Sequence, residues 1–312
     1  MNKNEMIAKL YESLGESHVV SPDVAHIEIH GNQVLGLHLV PGLEVQAEEM
    51  EEGIRAEILV KENTVIEKPV RICFGMLPES GVQKILMKTR LEDYASISIL
   101  ASCTFPNAVD VRHTMDAEIT IGRGGEYAYL ERHVHGDAGG VTVVPRAVIH
   151  LAEQARFRTD FELVKGRVGE IDMEYEAFCG SGSILEMSAR VNGTGDDRVV
   201  INEKAHLEGE GAHGVLMTNI AVRDKAMAII KNTMVASAPF ARGHVDCKEI
   251  VQGQATAIAI PVVEVRHPRA HVTHEASVGS VDSKQLQTLM SRGLTEDKAT
   301  DLIIQGLLTP AY

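Results

Sequence analysis

Apolar and polar positions alternate through most of this chain. Stretches such as AHIEIHG, IRAEILVKE, GEYAYLERHVHG, VTVVPRAVIHL and GVLMTNIAVRD alternate or run apolar for a few residues and then stop at a turn. A period of two places successive side chains on opposite faces of an extended chain, so these segments predict strands. Turn signals follow: GRGGE at 122–126, HGDAGG at 135–140, KGRVG at 165–169, CGSGS at 179–183, NGTGDD at 192–197 and EGEGAHG at 208–214. Their spacing is mostly roughly 13–16 residues, with one longer gap between 140 and 165. No helical block interrupts residues 24–280, which excludes a βα alternation. A long series of short strands predicts a sandwich, a barrel or a β-solenoid, and no strict short repeat separates the three.

The two ends change period. Ile7, Leu10, Tyr11 and Leu14 recur at helical spacing, with Asn4 as a cap and Gly15 as a stop. Near the other end, Ser283 can cap a turn carrying Leu286, Leu289 and Met290, closed by Gly293. Thr295 can cap a second helix with Ala299, Leu302 and Ile303 on one face, stopping near Gly306. The predicted organisation is a helical segment over 1–23, a β core over 24–280 and a helical hairpin over 281–312. Leu302, Ile303, Leu307 and Leu308 exceed what two short helices need for each other. They predict either a partner surface or a cover for the open end of the β region.

Composition narrows the class. Hydrophobic residues make up 44% of the 312, enough for a sizeable core, while aromatics are only 4% with no tryptophan. The core must therefore be built from Val, Ile, Leu, Ala and Met. A formal charge of −14 argues against nucleic acid or an anionic membrane as partner. Four cysteines without CxxC spacing suit a reducing compartment, and no apolar leader or membrane-length stretch stands out, so the expectation is a soluble cytoplasmic protein.

Candidate chemistry is sparse. IGRGGEY is followed by a strand pattern and not a helix, so it reads as a turn, and no GxxxxGK[ST] motif is present. In YLERHVHGD, the residues Glu131, His133 and His135 share one face of a strand at steps of about 6.6 Å. Such a face could bind a divalent metal, but the simpler reading is a solvated polar face. Cys73, Cys103 and Cys179 read as small core hydrophobes. Cys247 differs, because His244, Asp246, Lys248 and Glu249 surround it in sequence, and adjacent cations would favour its thiolate. One strand pair further on, past Glu264 and His267, stands His274-Glu275. Ligation, packing and nucleophilic catalysis all remain open on these residues alone, although no general base or oxyanion site for the last is identifiable.

The stretches GHVDCKEIVQG, IPVVEV and THEASVGSVDSKQLQTLMSRGLTEDKATDLIIQGLL resemble the SufB/SufD family of iron–sulfur cluster assembly proteins, in its short form without the long N-terminal extension. The resemblance extends over residues 24–312. It implies a mainly β fold, a right-handed parallel β-helix flanked by terminal helices. It implies a non-enzymatic scaffold for a labile iron–sulfur cluster, [4Fe-4S] favoured. It also implies an ABC-type ATPase partner, SufC, docking on the C-terminal helices through Leu286, Leu289, Met290, Leu302, Ile303 and Leu307, together with a sulfur donor and apo acceptor proteins. The family cysteine matching Cys247 and the glutamate matching Glu275 take part in nascent cluster assembly, and the histidine matching His274 contributes across a dimer interface. Thr273 stands where SufB often has glutamate, so a second carboxylate would have to come from Glu264 or Glu249. Cys103, Glu131, His133 and His135 are further candidate ligands. One chain carrying both the cysteine and the histidine predicts a homodimer; the alternative is a SufD-like structural subunit that holds no cluster. A β-helix carbohydrate enzyme is disfavoured by the scarcity of aromatics.

Overall fold

The computed structural model describes residues 1–18 and 21–309; the ends of the predicted hairpin at 310–312 and two residues of the first linker lie outside the described residues. Helix α1 (Lys3–Leu14) precedes two antiparallel pairs, β1 (His26–His30) with β2 (Gln33–His38) and β3 (Leu43–Glu49) with β4 (Gly53–Val60). From there the chain coils. Strands β5 (Val70–Gly75), β7 (Ser96–Phe105), β9 (Glu126–His135), β11 (Arg156–Lys165), β13 (Ile184–Gly193), β15 (His213–Val222), β17 (Arg242–Val251) and β19 (His271–Gly279) stack in parallel on β1 as a first sheet. Strands β6 (Ser80–Leu91), β8 (Asp110–Ile121), β10 (Val141–Leu151), β12 (Gly169–Cys179), β14 (Arg198–Leu207), β16 (Met227–Ala236) and β18 (Thr256–Val265) stack on β4 as a second. From β4 to β17 each strand pairs in parallel with the strand two further along the chain, which makes a flattened parallel solenoid. Of the three all-β architectures the strand pattern allowed, this is the one formed.

The turn spacing read from the sequence is half of one coil. At one corner a residue in the left-handed region recurs every 28 to 30 residues: Tyr94, Gly124, Gln154, Gly182, Gly211 and Phe240. The corner needs φ near +60°, which Gly124 and Gly211 supply without strain, while Tyr94, Gln154 and Phe240 adopt it with a side chain. Different residue types at one geometric position explain why no strict repeat is visible.

Between the sheets runs one continuous core of small branched residues, from Ile27 and Ile54 to Val245 and Cys247. The terminal helices lie outside it. The side chain of Asn2, rather than Asn4, caps α1 in a reciprocal box with Glu5, and Ile7, Leu10, Tyr11 and Leu14 pack with Cys73 on the outer face of the first sheet. Helix α2 (Ser283–Ser291) is capped by Asp282, one residue before the expected Ser283, and α3 (Glu296–Leu308) by Thr295. Helix α3 does not stop at Gly306. It continues to Leu308 because Ile304 and Leu308 bury against Ala221, and Arg190 and Asn219 donate to the carbonyls of Leu308 and Leu307. The hairpin thus lies on the outer face of β13 and β15, and the final coil, β17 to β19, is left open.

Candidate functional site

Cys247 sits on β17 between Val245 and Glu249, all three turned into the solenoid. The parallel register brings Thr218 of β15 directly beneath it, and Asn232 of β16 faces it from the second sheet, Nδ2 donating towards the Cys247 sulfur at 3.7 Å. The same amide lies 3.4 Å from the Thr218 hydroxyl. Glu203 on β14 is level with Asn232, fully buried, with its Oε2 unpartnered among the described residues. Both oxygens of Glu249 are likewise unpartnered. The thiol, at the end of the apolar core, therefore has the polar side chains of Thr218, Asn232, Glu203 and Glu249 around it, one coil behind the open end. Glu249 is already a neighbour in the sequence; Thr218, Asn232 and Glu203 are sequence-distant, and only the one-coil offset of Thr218 from Cys247 could have pointed to them.

The expectation of a thiolate favoured by neighbouring cations is overturned. His244, Asp246 and Lys248 occupy the opposite, outer face of β17, where Lys248 pairs with Asp246 at 2.7 Å and His244 meets the Thr273 hydroxyl at 2.8 Å. Cys247 is 0% exposed, and burial, reinforced by the charge of Glu249, pushes its pKa up against a lowering hydrogen bond from Thr218. Glu249 itself is raised to about 7, first by burial and then by Asp246.

His274 and Glu275 diverge. On β19, His274 is in register with Val245 and so projects from the inner face beside Cys247's strand, whereas Glu275 is in register with Asp246 on the outer face. Both are exposed, on the strand that ends the first sheet among the described residues. Glu264 does not converge with them. It lies on the outer face of β18, gripped bidentately by Arg266 at 2.8 and 3.1 Å, so the substitute carboxylate nearest Cys247 is Glu249.

A second cluster lies further back, between β7, β8 and β9. Glu131, His133 and His135 are buried inside the solenoid, which overturns the reading of a solvated face. They meet Cys103, in register with His133, and His113 of β8, a residue the sequence did not single out. Burial raises Glu131 to about 7 and lowers His113 and His133 to about 3, so both imidazoles are neutral at pH 7. Cys73 and Cys179 are buried as expected. Under α1, fully buried Glu28 accepts from Tyr11 at 3.2 Å and lies within hydrogen-bond reach of His18 and His26, fastening the helix to the sheet.

Four of the six candidate partner residues line one groove. Leu289, Leu302, Ile303 and Leu307 face Ile250 and Ser277 across about 970 Å³, and Leu302 is 47% exposed. Leu286 is half-buried, and Met290 exposed beside them. No described helix is long and apolar enough to cross a membrane.

The known proteins to which this chain is similar are iron–sulfur cluster assembly proteins. The family model for the SufBD core domain of the SUF iron–sulfur cluster assembly system matches residues 83–307. An iron–sulfur cluster assembly SufBD family protein of Methanocaldococcus jannaschii is 33% identical over 313 residues, covering 99% of each chain. A second, of Pyrococcus horikoshii, is 33% identical over 97% of this chain and 93% of its own. The iron–sulfur cluster assembly protein SufB of Bacillus subtilis is 24% identical over 81% of this chain and 55% of its own length.

Proposed function

The chain belongs to the SufBD family, and from that membership we propose that it is a non-enzymatic scaffold on which an iron–sulfur cluster is built and handed on. The working unit is a homodimer joined at its open ends, with ATP hydrolysis supplied by a SufC-type ABC ATPase.

The observation that carries this reading is the placing of Cys247 among polar side chains one coil behind an unpaired sheet end. Strands β18 and β19 present free backbone edges, which folded proteins seldom leave uncovered. Ile258, Ile260 and Val262 add an apolar strip, 37% to 43% exposed, on the outer face of β18. Two-fold pairing there covers both edges and brings two inward-facing Cys247–His274 sets together. Two thiolates and two imidazoles, with Glu249 or Glu275 in reserve, make a ligand set with fewer sulfurs than a ferredoxin site. A cargo held that way is releasable. The groove of α2 and α3 is the ATPase seat in this scheme, and its attachment to β13 and β15 gives movement of the partner a rigid route into the coils.

A second reading, a SufD-like structural subunit without a cluster, is favoured by the burial and raised pKa of Cys247. One experiment separates them: anaerobic reconstitution with iron and sulfide of the chain co-expressed with its ATPase, read by Mössbauer spectroscopy. The scaffold reading expects a cluster in the wild type and none in Cys247→Ser, with circular dichroism unchanged. A wild type without a cluster supports the structural subunit, and a Cys247→Ser variant with a normal cluster overturns the site.

A further inference from the structure

We propose that Cys103, Glu131 and His133, with His113 as fourth donor, form a mononuclear site for a divalent ion of the zinc or ferrous class, separate from Cys247. The ligand atoms of the first three all lie within 4.8 Å of one another. The Cys103 sulfur is 3.9 Å from both Glu131 Oε1 and His113 Nε2, and His133 Nε2 is 2.7 Å from the same carboxyl oxygen. Tetrahedral coordination with ordinary metal–sulfur and metal–nitrogen bonds needs donor separations of about 3.3–3.6 Å. The contacts at 2.7 and 3.9 Å bracket that range, and the other separations among the first three donors stay within 4.8 Å, so side-chain rotation has to draw Cys103 and His113 in for an ion to be held.

Hydrogen-bond logic aims His133 at the site. The Arg167 carbonyl can only accept, so His135 Nδ1, 3.2 Å away, carries a proton. In neutral His135 the other nitrogen, Nε2, is then an acceptor, and it takes the proton of His133 Nδ1 at 3.1 Å. The lone pair of His133 Nε2 is thereby left facing Glu131 and Cys103. A carbonyl–imidazole chain that fixes the tautomer of a donor imidazole is the usual outer support of a metal-bound histidine. With no ion, that lone pair requires Glu131 Oε1 to be protonated. The second oxygen of Glu131 and Nδ1 of His113, residues 3% and 2% exposed, have no hydrogen-bond partner among the described residues. Loading an ion releases the Cys103 thiol proton and the Glu131 carboxyl proton to solvent. Two negative ligands then balance the dication in a medium that tolerates little net charge.

The probe is cobalt(II), added anaerobically to the chelator-stripped full chain and read by its thiolate-to-metal charge-transfer absorption and by bound metal per chain. The expected result is one tightly held ion with a thiolate band. Cys103→Ser loses the band, Glu131→Gln binds about tenfold or more weakly, and Cys247→Ser leaves band and affinity unchanged. His135→Gln, outside the ligand set, keeps the band with weakened binding, which keeps the test valid if a ligand variant folds poorly. A wild type that binds no cobalt tightly, a band surviving Cys103→Ser, or a band lost in Cys247→Ser overturns the proposal.

Discussion

Glu203 shows what burial alone does to a single residue here. Its carboxyl lies inside the second sheet, and burial raises its pKa to about 8 from the ordinary 4.5. The titratable groups turned towards it are Tyr175 and Cys247, and neither supplies a positive charge. The folded chain therefore keeps a proton that the unfolded chain releases, and stability falls as pH rises from about 4.5 to about 8. Near pH 8 that loss is on the order of 1 kcal/mol or more. Glu203→Gln removes the titration and keeps the shape, so its melting temperature should exceed the wild type's at pH 8 by more than at pH 5. An equal difference at both pH values would show that the carboxyl stays ionised. His274 stands on the inner face of the last strand, in register with Val245. Its substitution by alanine should lower iron content on reconstitution without moving the melting temperature, since the side chain is exposed.

At the scale of elements, α3 is held by a buried charge group. Arg190 pairs with Asp160 at 2.7 and 3.1 Å and with Glu162 at 3.0 Å, and donates to the Leu308 carbonyl at 2.8 Å. Arg190→Met strands Asp160 and frees the helix end, an expected loss of about 3–5 kcal/mol measurable by urea unfolding. Leu302→Asp changes only the exposed groove, so it should abolish co-purification of the ATPase at unchanged stability; retained binding would move the docking surface elsewhere. The same helix marks what was legible. Apolar spacing gave its existence and Thr295 its start, but its end depended on Arg190 and Asn219, which no local pattern links to Leu307 and Leu308. The cap of α1 was missed for a different reason: Asn2 and Asn4 are both plausible caps, and the Glu5 that completes the box with Asn2 decides between them.

At the scale of the molecule, alternation of apolar positions made the strands readable and left the architecture open, because a strand does not say which strand it pairs with. Tyr94, Gly124 and Gln154 occupy one corner of successive coils with three unlike side chains, so the coil length is written in backbone geometry more than in composition. The inner polar clusters were hidden by the same fact: alternation marks Glu131 and His133 as one face and is silent on whether that face is wet. The open end remains the feature with functional weight. Ile260→Lys, on the exposed strip of β18, should convert the assembly to monomers in analytical ultracentrifugation while leaving the fold intact, and a persistent dimer would place the contact elsewhere. The central claim, that two chains share one cluster across their open ends, is tested most directly by native mass spectrometry of the anaerobically reconstituted protein. The account predicts a mass of two chains plus a single cluster, with loss of cluster and not of subunit in Cys247→Ser; a cluster carried by the monomer, or a dimer that never takes one up, would contradict it.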